Sequence, residues 1–334
     1  MEKNLQKKSF TEKIKNYFSD DNKVNRINQK NKIKKIFLGT KGSNGLLMKI
    51  VIYFLLIVFG FIYLYPLIYM LITSLKSEAD LMDTSIKWLP TSLKFSNYKV
   101  AFEQLNYLPT FFKTLVVVIV PSVINTIVAL LTAYGFSRFK FPGKRILFGL
   151  MLATFVIPSA LTKIPQFVWY SKLGLIGDIL TYILPSTFGQ GLNEAIYILI
   201  LFSMFNLIPK QLEEAARIDG ASNLGVFFKV AIPMVVPGIV TVFLFSVVWY
   251  WNDSATASMY LGRAGKDFWA TIPVMLERYQ TQIIAETHGG VGMKLYQGKK
   301  MAGTLLSIIP LLIMYFPLQR FFVESIEKTG IAGE

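Results

Sequence analysis

The groups able to do chemistry are few, and their kinds narrow what that chemistry can be. Cysteine is absent, so the chain has no disulfide framework and no thiolate site. One histidine, His288, is too few for a His-based zinc site within one chain. No G-x-x-x-x-G-K-[ST] phosphate loop occurs, and GTKGSNG at 39–45 does not satisfy that pattern. Carboxylates are the groups that remain. Glu194 stands alone between two uncharged runs, 179–193 and 195–209. Glu213 and Glu214 lie in the segment IPKQLEEAARIDGASNLGVFFKVAIP, residues 208–233. Pro209 suits a first helical turn, and the two glutamates suit the positive end of that helix. Arg217 is i+4 from Glu213 and i+3 from Glu214, so it can pair with either. Gly220 can take the left-handed conformation that ends the helix. Leu224, Phe227 and Phe228 then give a second short helix an apolar face. Ala215 and Ala216 are small enough to let a partner surface approach closely. An ordinary helical loop is the plainer reading, but the spacing argues against it. None of these groups points to bond breaking.

The elements that hold these groups are membrane spans. The chain has 334 residues, 53% hydrophobic and only 16% charged, against about 25% charged in an ordinary soluble domain. Its mean hydropathy is +0.47, and its charges cluster, leaving long uncharged stretches. That composition argues against a soluble enzyme, a disordered chain and a nucleic-acid-binding domain. The net charge of +15 fits basic loops held on the cytoplasmic side of a membrane. A spanning helix needs roughly 20 apolar residues. Six spans are expected, at about 50–75, 112–136, 146–170, 179–205, 234–258 and 302–323. Residues 1–48 hold twelve Lys/Arg against four Asp/Glu, and SRFKFPGKR at 137–145 holds four basic residues and no acid. Both are expected to be cytoplasmic, which places both termini inside and the loops at 76–111, 171–178 and 259–300 outside. Residues 1–48 read as a basic cytoplasmic tail with no signal peptide, either plainly solvated or with an amphipathic stretch resting on anionic lipid, 49–325 as the transmembrane domain and 326–334 as a cytoplasmic C-terminal tail. Arg263, Lys266, Arg278, Lys294, Lys299 and Lys300 make the outer 259–300 loop locally basic.

The fourth span is irregular. Pro185, Gly189, Gln190, Gly191 and Asn193 interrupt it, and the helical piece from Glu194 to Leu207 is 14 residues, or about 21 Å. That piece is too short to cross alone, so irregular backbone must lie at membrane depth. Such backbone survives only where protein covers it or a wet cavity lies beside it. Interrupted helices of this kind mark transport pathways. Glu194 beside the break is then either a pathway carboxylate or a solvating group in a wide outer vestibule.

With these elements in view, the 206–233 loop resembles the EAA loop of binding-protein-dependent ABC importer permeases, whose pattern is E-A-A, three residues, G, nine residues, I-x-L-P. The residues that carry the likeness are Glu214-Ala215-Ala216, Gly220, Val230, Ile232 and Pro233, with Val and Ile as conservative departures. LPTSLKFSNYKVAF (89–102), NTIVALLTAYGFSRFKFPGK (125–144), WYWND (249–253) and MAGTLLSIIPLLIMYFPLQRFFV (301–323) fit the carbohydrate subfamily related to the smaller maltose permease subunit.

The resemblance implies an all-α polytopic fold of six transmembrane helices, the type I importer permease fold, with the loop as a coupling helix. It implies that this bacterial inner-membrane subunit is not an enzyme and holds no cofactor. ATP and Mg would be bound by two partner ATPase subunits, alongside a second permease subunit, an extracytoplasmic solute-binding protein and membrane lipid, with no nucleic acid. ATPase coupling would involve Glu213, Glu214, Ala215, Ala216, Arg217, Asp219, Gly220, Phe227 and Pro233. Sugars are gripped by aromatic faces and by amide or carboxylate hydrogen bonds. Candidate pathway residues are therefore Asn125, Gln190, Asn193, Glu194, Trp249, Tyr250 and Asn252, with Trp169 and Trp251 as further aromatics. Asn125 and Asn252 interrupt apolar runs, a place where interhelical hydrogen bonding is the commonest role. The alternatives are a permease for a non-sugar solute, an ion-coupled secondary transporter, and a non-transporting receptor or scaffold.

Overall fold

The computed structural model describes residues 37, 39–40, 43–86, 88–262, 265, 267–287 and 294–330. Most of the basic tail expected at 1–48 lies outside the described residues, as do Arg263, Lys266, His288 and the last four residues of the chain. The chain divides after Tyr69 into two compact units. The first holds a short antiparallel hairpin, β1 (Gly39–Thr40) against β2 (Ser43–Asn44), and most of α1 (Leu46–Ser74). α1 is apolar on every side, and its most apolar window buries no residue within the chain. A helix of that kind belongs in lipid or against another protein.

The second unit begins with two short helices, α2 (Glu78–Met82) and α3 (Ser96–Gln104), followed by the longer α4 (Tyr107–Arg138). Next come α5 (Lys144–Val156), α6 (Ser159–Lys172), α7 (Leu180–Thr187), α8 (Glu194–Leu207) and α9 (Lys210–Ile218). α10 (Asn223–Val226) leads through a π-helical turn (Phe227–Ala231) into α11 (Ile232–Asn252). α12 (Ser254–Tyr260), α13 (Ile272–Thr287) and α14 (Gln297–Gly330) complete the unit.

Four continuous helices among the described residues are long and apolar enough to cross a membrane, or up to six if each of two bent pairs, α5 with α6 and α8 with α9, is one span. The third expected span, 146–170, is not one helix: α5 and α6 meet at 95°. Pro158 is the cause. It cannot donate a backbone hydrogen bond, and it drives Ile157 to extended backbone (ψ 120°). The fifth span stops at Asn252 rather than 258, because the Asp253 carboxylate caps α12 by accepting from the Thr256 amide at 3.2 Å. The outer 259–300 stretch is more than a loop, since α13 lies within it.

The core has two main clusters. One joins α4, α8 and the π turn through Tyr134, Tyr197, Leu201, Phe205 and Phe227. The other joins α4, α7, α11 and α12 through Val117, Tyr182, Tyr250, Trp251 and Tyr260. In lipid, apolar burial gains little from leaving water, so close packing carries the cohesion. Gly238 shows how close: a Cβ there would sit 2.0 Å from the Met204 sulfur. At the opposite end of α4 a polar lattice ties the segments. The Asn97 amide donates to the Ser74 and Lys76 carbonyls at 2.9 and 3.0 Å. The Thr91 hydroxyl donates to Asp80 and holds that carboxyl below its usual range. Lys299 pairs with Glu78 at 2.9 Å.

Candidate functional site

The 206–233 loop is built around one guanidinium. Arg138, the last residue of α4, donates from Nε to Glu213 Oε1 at 2.6 Å, and the two side chains are 5% and 4% exposed. Its Nη2 donates to the Ile208 carbonyl at 3.2 Å and its Nη1 to the Ser137 hydroxyl at 3.3 Å. Ser137 in turn donates to Asn206 Oδ1 at 2.9 Å. One turn earlier on α4, the Tyr134 ring lies 5.3 Å from Phe205 and 4.7 Å from Phe227. The end of α4, the end of α8, α9 and the π turn are thereby held together.

α9 ends as its sequence predicts. The Gly220 amide bonds to the Arg217 carbonyl and the Ala221 amide to the Ala216 carbonyl, each at 3.0 Å, with Gly220 at φ 89°. That pair of bonds is the Schellman ending, which favours glycine at the positive-φ position. Ser222 then caps α10 by accepting from the Gly225 amide at 3.1 Å. The outward side of the loop carries uncovered apolar side chains among its charges: Leu212, Ile218, Leu224 and Phe228 are all exposed, Ile218 at 86%, beside exposed Glu214 and Arg217.

Two expectations for this loop need correction. Arg217 pairs with neither glutamate among the described residues, because Arg138 has taken Glu213, while Glu214 and Arg217 both face outward. The second short helix is not separate either, since 223–252 runs as one continuous helix. Phe227 turns inward while Leu224 and Phe228 point out, so these three do not share a face. The π turn has a local cause. Pro233 lacks a donor and crowds the carbonyl four residues back, and one wider turn, with Ile232 bonding to Phe227, relieves that crowding. Ala215, Asp219 and Gly220 are exposed, Ala216 half-buried, and Pro233 exposed.

The second site is the break between α7 and α8. Asn125 in mid-α4 is fully buried and donates to the Leu192 carbonyl at 3.1 Å and to Ser246 at 3.4 Å. The Tyr250 hydroxyl meets Ser186 at 2.7 Å and accepts from the Leu192 amide at 3.3 Å. The Leu192 backbone in the break thus has both its polar groups satisfied by protein. Gly191 is required by proximity, since a Cβ there would fall 2.1 Å from Asn125 Oδ1. Asn193 turns the chain with φ 57°, a conformation asparagine tolerates better than most. Glu194 begins α8 at 3% exposure, and neither carboxylate oxygen has a hydrogen-bond partner.

Gln190 and Tyr250 line a small cleft with Gln166, Tyr170 and Tyr260. Asn125, Gln190, Asn193, Glu194 and Tyr250 therefore gather around the break. Trp249, Asn252 and Trp169 do not join them: both tryptophans are exposed, and the Asn252 amide bonds back to Val248 on its own helix. Trp251 is a packing residue whose indole donates to the Ser307 carbonyl at 3.1 Å. Sequence reasoning missed the site roles of Arg138, Tyr134, Ser186 and Ser246. Arg138 was visible as the charge that closes the apolar run 114–137, but it lies 75 residues from Glu213, so no local spacing could pair them.

Several crossings, a pinned break at membrane depth and an exposed apolar bend at one end define a polytopic membrane protein of the permease class. Residues 125–328 match the family described as binding-protein-dependent transport system inner membrane component, and the chain belongs to that family. It is 30% identical over 311 residues to the osmoprotective compounds uptake permease protein GgtD of Synechocystis sp., covering 91% of this chain and 96% of that one. It is 30% identical over 298 residues to the polygalacturonan/rhamnogalacturonan transport system permease protein YtcP of Bacillus subtilis, covering 86% and 99%. A crystal structure of a bacterial ABC transporter involved in the import of the acidic polysaccharide alginate superposes with a TM-score of 0.67 at 26% identity, over 83% of this chain and 96% of that one.

Proposed function

We propose that this chain forms half of the translocation pathway of an ATP-driven importer for a sugar or oligosaccharide, delivered by an extracytoplasmic binding protein. A second permease subunit completes the pathway. Two ATPase subunits bind ATP and Mg, and one of them docks on the 206–233 loop from the cytoplasm, where both termini also lie. The observation that carries the reading is the loop itself, an outward face with four exposed apolar side chains, fixed by a buried ion pair to the end of a spanning helix. Membership of the family supports the binding protein and the ATPase. The saccharide names of the Bacillus relative and of the alginate importer support the substrate class. The Synechocystis relative supports a second reading, in which the solute is an osmoprotective compound.

Three substitutions test the coupling surface. Gly220→Val forces a β-branched residue to φ 89°, where nothing lies within 4 Å of a new Cβ. Its effect is therefore backbone strain of roughly 1–2 kcal/mol rather than collision. Glu214→Lys reverses an exposed charge in the first turns of α9, and Ala216→Trp adds bulk at a half-buried position on the edge of the docking face. Each is expected to leave membrane levels normal while uptake is lost, with the ATPase released or no longer answering to loaded binding protein. Full uptake with a normally bound ATPase in all three variants overturns the reading.

A further inference from the structure

A buried ion pair between distant segments is a demanding thing to build. Each charge loses several kcal/mol of hydration, and the pair stands only where the remaining donors and acceptors are also met. The Arg138 guanidinium meets that condition by holding three separate elements at once: Glu213 on α9, the Ile208 carbonyl at the end of α8, and Ser137 on its own helix. A planar fork with fixed donor directions can do this, whereas a lysine ammonium is a single point charge. Glu213 is, moreover, the buried residue of α9; its neighbours on the helix face outward or are half-covered. Alongside the Tyr134–Phe227 packing and the continuous helix 223–252, the loop is therefore tied to α4 by one charged contact on its inner side.

The helix at the other end of that attachment is α4. It runs unbroken for 32 residues from Tyr107 to Arg138, and Asn125 in its middle grips the Leu192 carbonyl in the break between α7 and α8. A displacement of α9 thus has a continuous route through Arg138 and α4 to the interrupted segment. We infer that the Arg138–Glu213 pair is the link through which movement of α9 enters α4, which makes both of them positioning residues for transport. The inference rests on the coupling reading above and deepens it. Outward residues of the loop meet the ATPase, and Glu213 passes the motion inward.

The test uses the assembled transporter with its ATPases and binding protein, and reads uptake and ATP hydrolysed per solute moved. Glu213→Gln keeps shape and removes the charge. Arg138→Lys keeps the charge and removes the fork. Both are expected to lower uptake tenfold or more and to raise ATP consumed per solute several-fold, with the ATPase still bound. Exchanging the charges, Arg138→Glu with Glu213→Arg, is expected to recover uptake several-fold over either single reversal. Where Glu213→Gln does not assemble, Glu213→Asp is read by the same ratio, since it keeps the charge and shortens the reach. A merely structural pair would lower thermal stability and leave ATP per solute at the wild-type value, and that result overturns the link. If Glu214→Lys and Ala216→Trp abolish uptake while Glu213→Gln and Arg138→Lys keep wild-type coupling, the link falls and the docking surface stands. If all four transport normally, the docking surface falls as well.

Discussion

Glu194 is the residue whose position is hardest to sustain by packing alone. Its carboxylate is 3% exposed and neither oxygen has a hydrogen-bond partner. A group left like this costs stability, and the cost is much larger for a charge than for a neutral amide. A residue kept in such a place is expected to act at some stage of the cycle. Glutamine has the same shape without the charge, so Glu194→Gln separates the two effects. Assembly and thermal stability are expected to hold or rise. Uptake is expected to fall, by about tenfold or somewhat more if a hydrogen bond to a charged group worth roughly 1.5–3 kcal/mol is lost during transport. Wild-type uptake across substrate concentrations would leave Glu194 with no part in the pathway.

At the scale of elements, the packing of α8 on α11 is set by Gly238, which admits the Met204 side chain where a Cβ would stand 2.0 Å from its sulfur. Methionine is adaptable, but Leu201 lies 3.5 Å from the same point and shares the crowding. Gly238→Val is expected to push the helices apart and cost about 1–3 kcal/mol or more. A fall in the melting temperature of the purified complex measures this, and Met204→Ala in the same chain is expected to restore part of it.

The elements also show what a sequence can disclose. The crossings were legible because uncharged runs bounded by Lys and Arg are long compared with a membrane. Gly220 was legible because a helix ending that favours glycine is a local requirement. The 95° bend at Pro158 was not read, although the cause was in plain view: a proline within an apolar run breaks a helix unless neighbours satisfy the freed carbonyl. The Arg138–Glu213 pair could not be read at all, since side chains 75 positions apart meet only once α4, α8 and α9 have packed. The pinning of the break by Asn125 is of the same kind. The asparagine stood out in its apolar run, but its partner, the Leu192 carbonyl, is backbone and carries no sequence signal.

At the scale of the whole molecule, the hydrogen bonds and ion pairs sort the loops of the second unit into two sets at opposite ends of α4. At the Arg138 end lie 137–145 and the loop of α9, joined by the buried pair. At the Tyr107 end lie the segment of α2 and α3, tied by Asn97, and the start of α14, tied by Lys299 to Glu78. α13 is anchored there too, its Ile272 amide donating to Thr114 at 2.9 Å. A helix of 32 residues separates the two sets by about 48 Å, more than the thickness of a bilayer. On the proposed function the two sets face opposite compartments, so the sidedness of one fixes the other. On the proposed orientation, the four basic residues of 137–145 hold the Arg138 end in the cytoplasm. Single cysteines replacing Lys140 and Asn223, both exposed, are accordingly expected to react with a membrane-impermeant thiol reagent only after the cells are opened. Cysteines replacing Ser92 and Lys294, also exposed, are expected to react in intact cells. The absence of native cysteine keeps the background at zero. Reaction of Asn223→Cys in intact cells would invert the arrangement and place the loop of α9 where no ATPase could reach it. Reaction of Lys140→Cys and Asn223→Cys on opposite sides would contradict the Arg138–Glu213 pair itself.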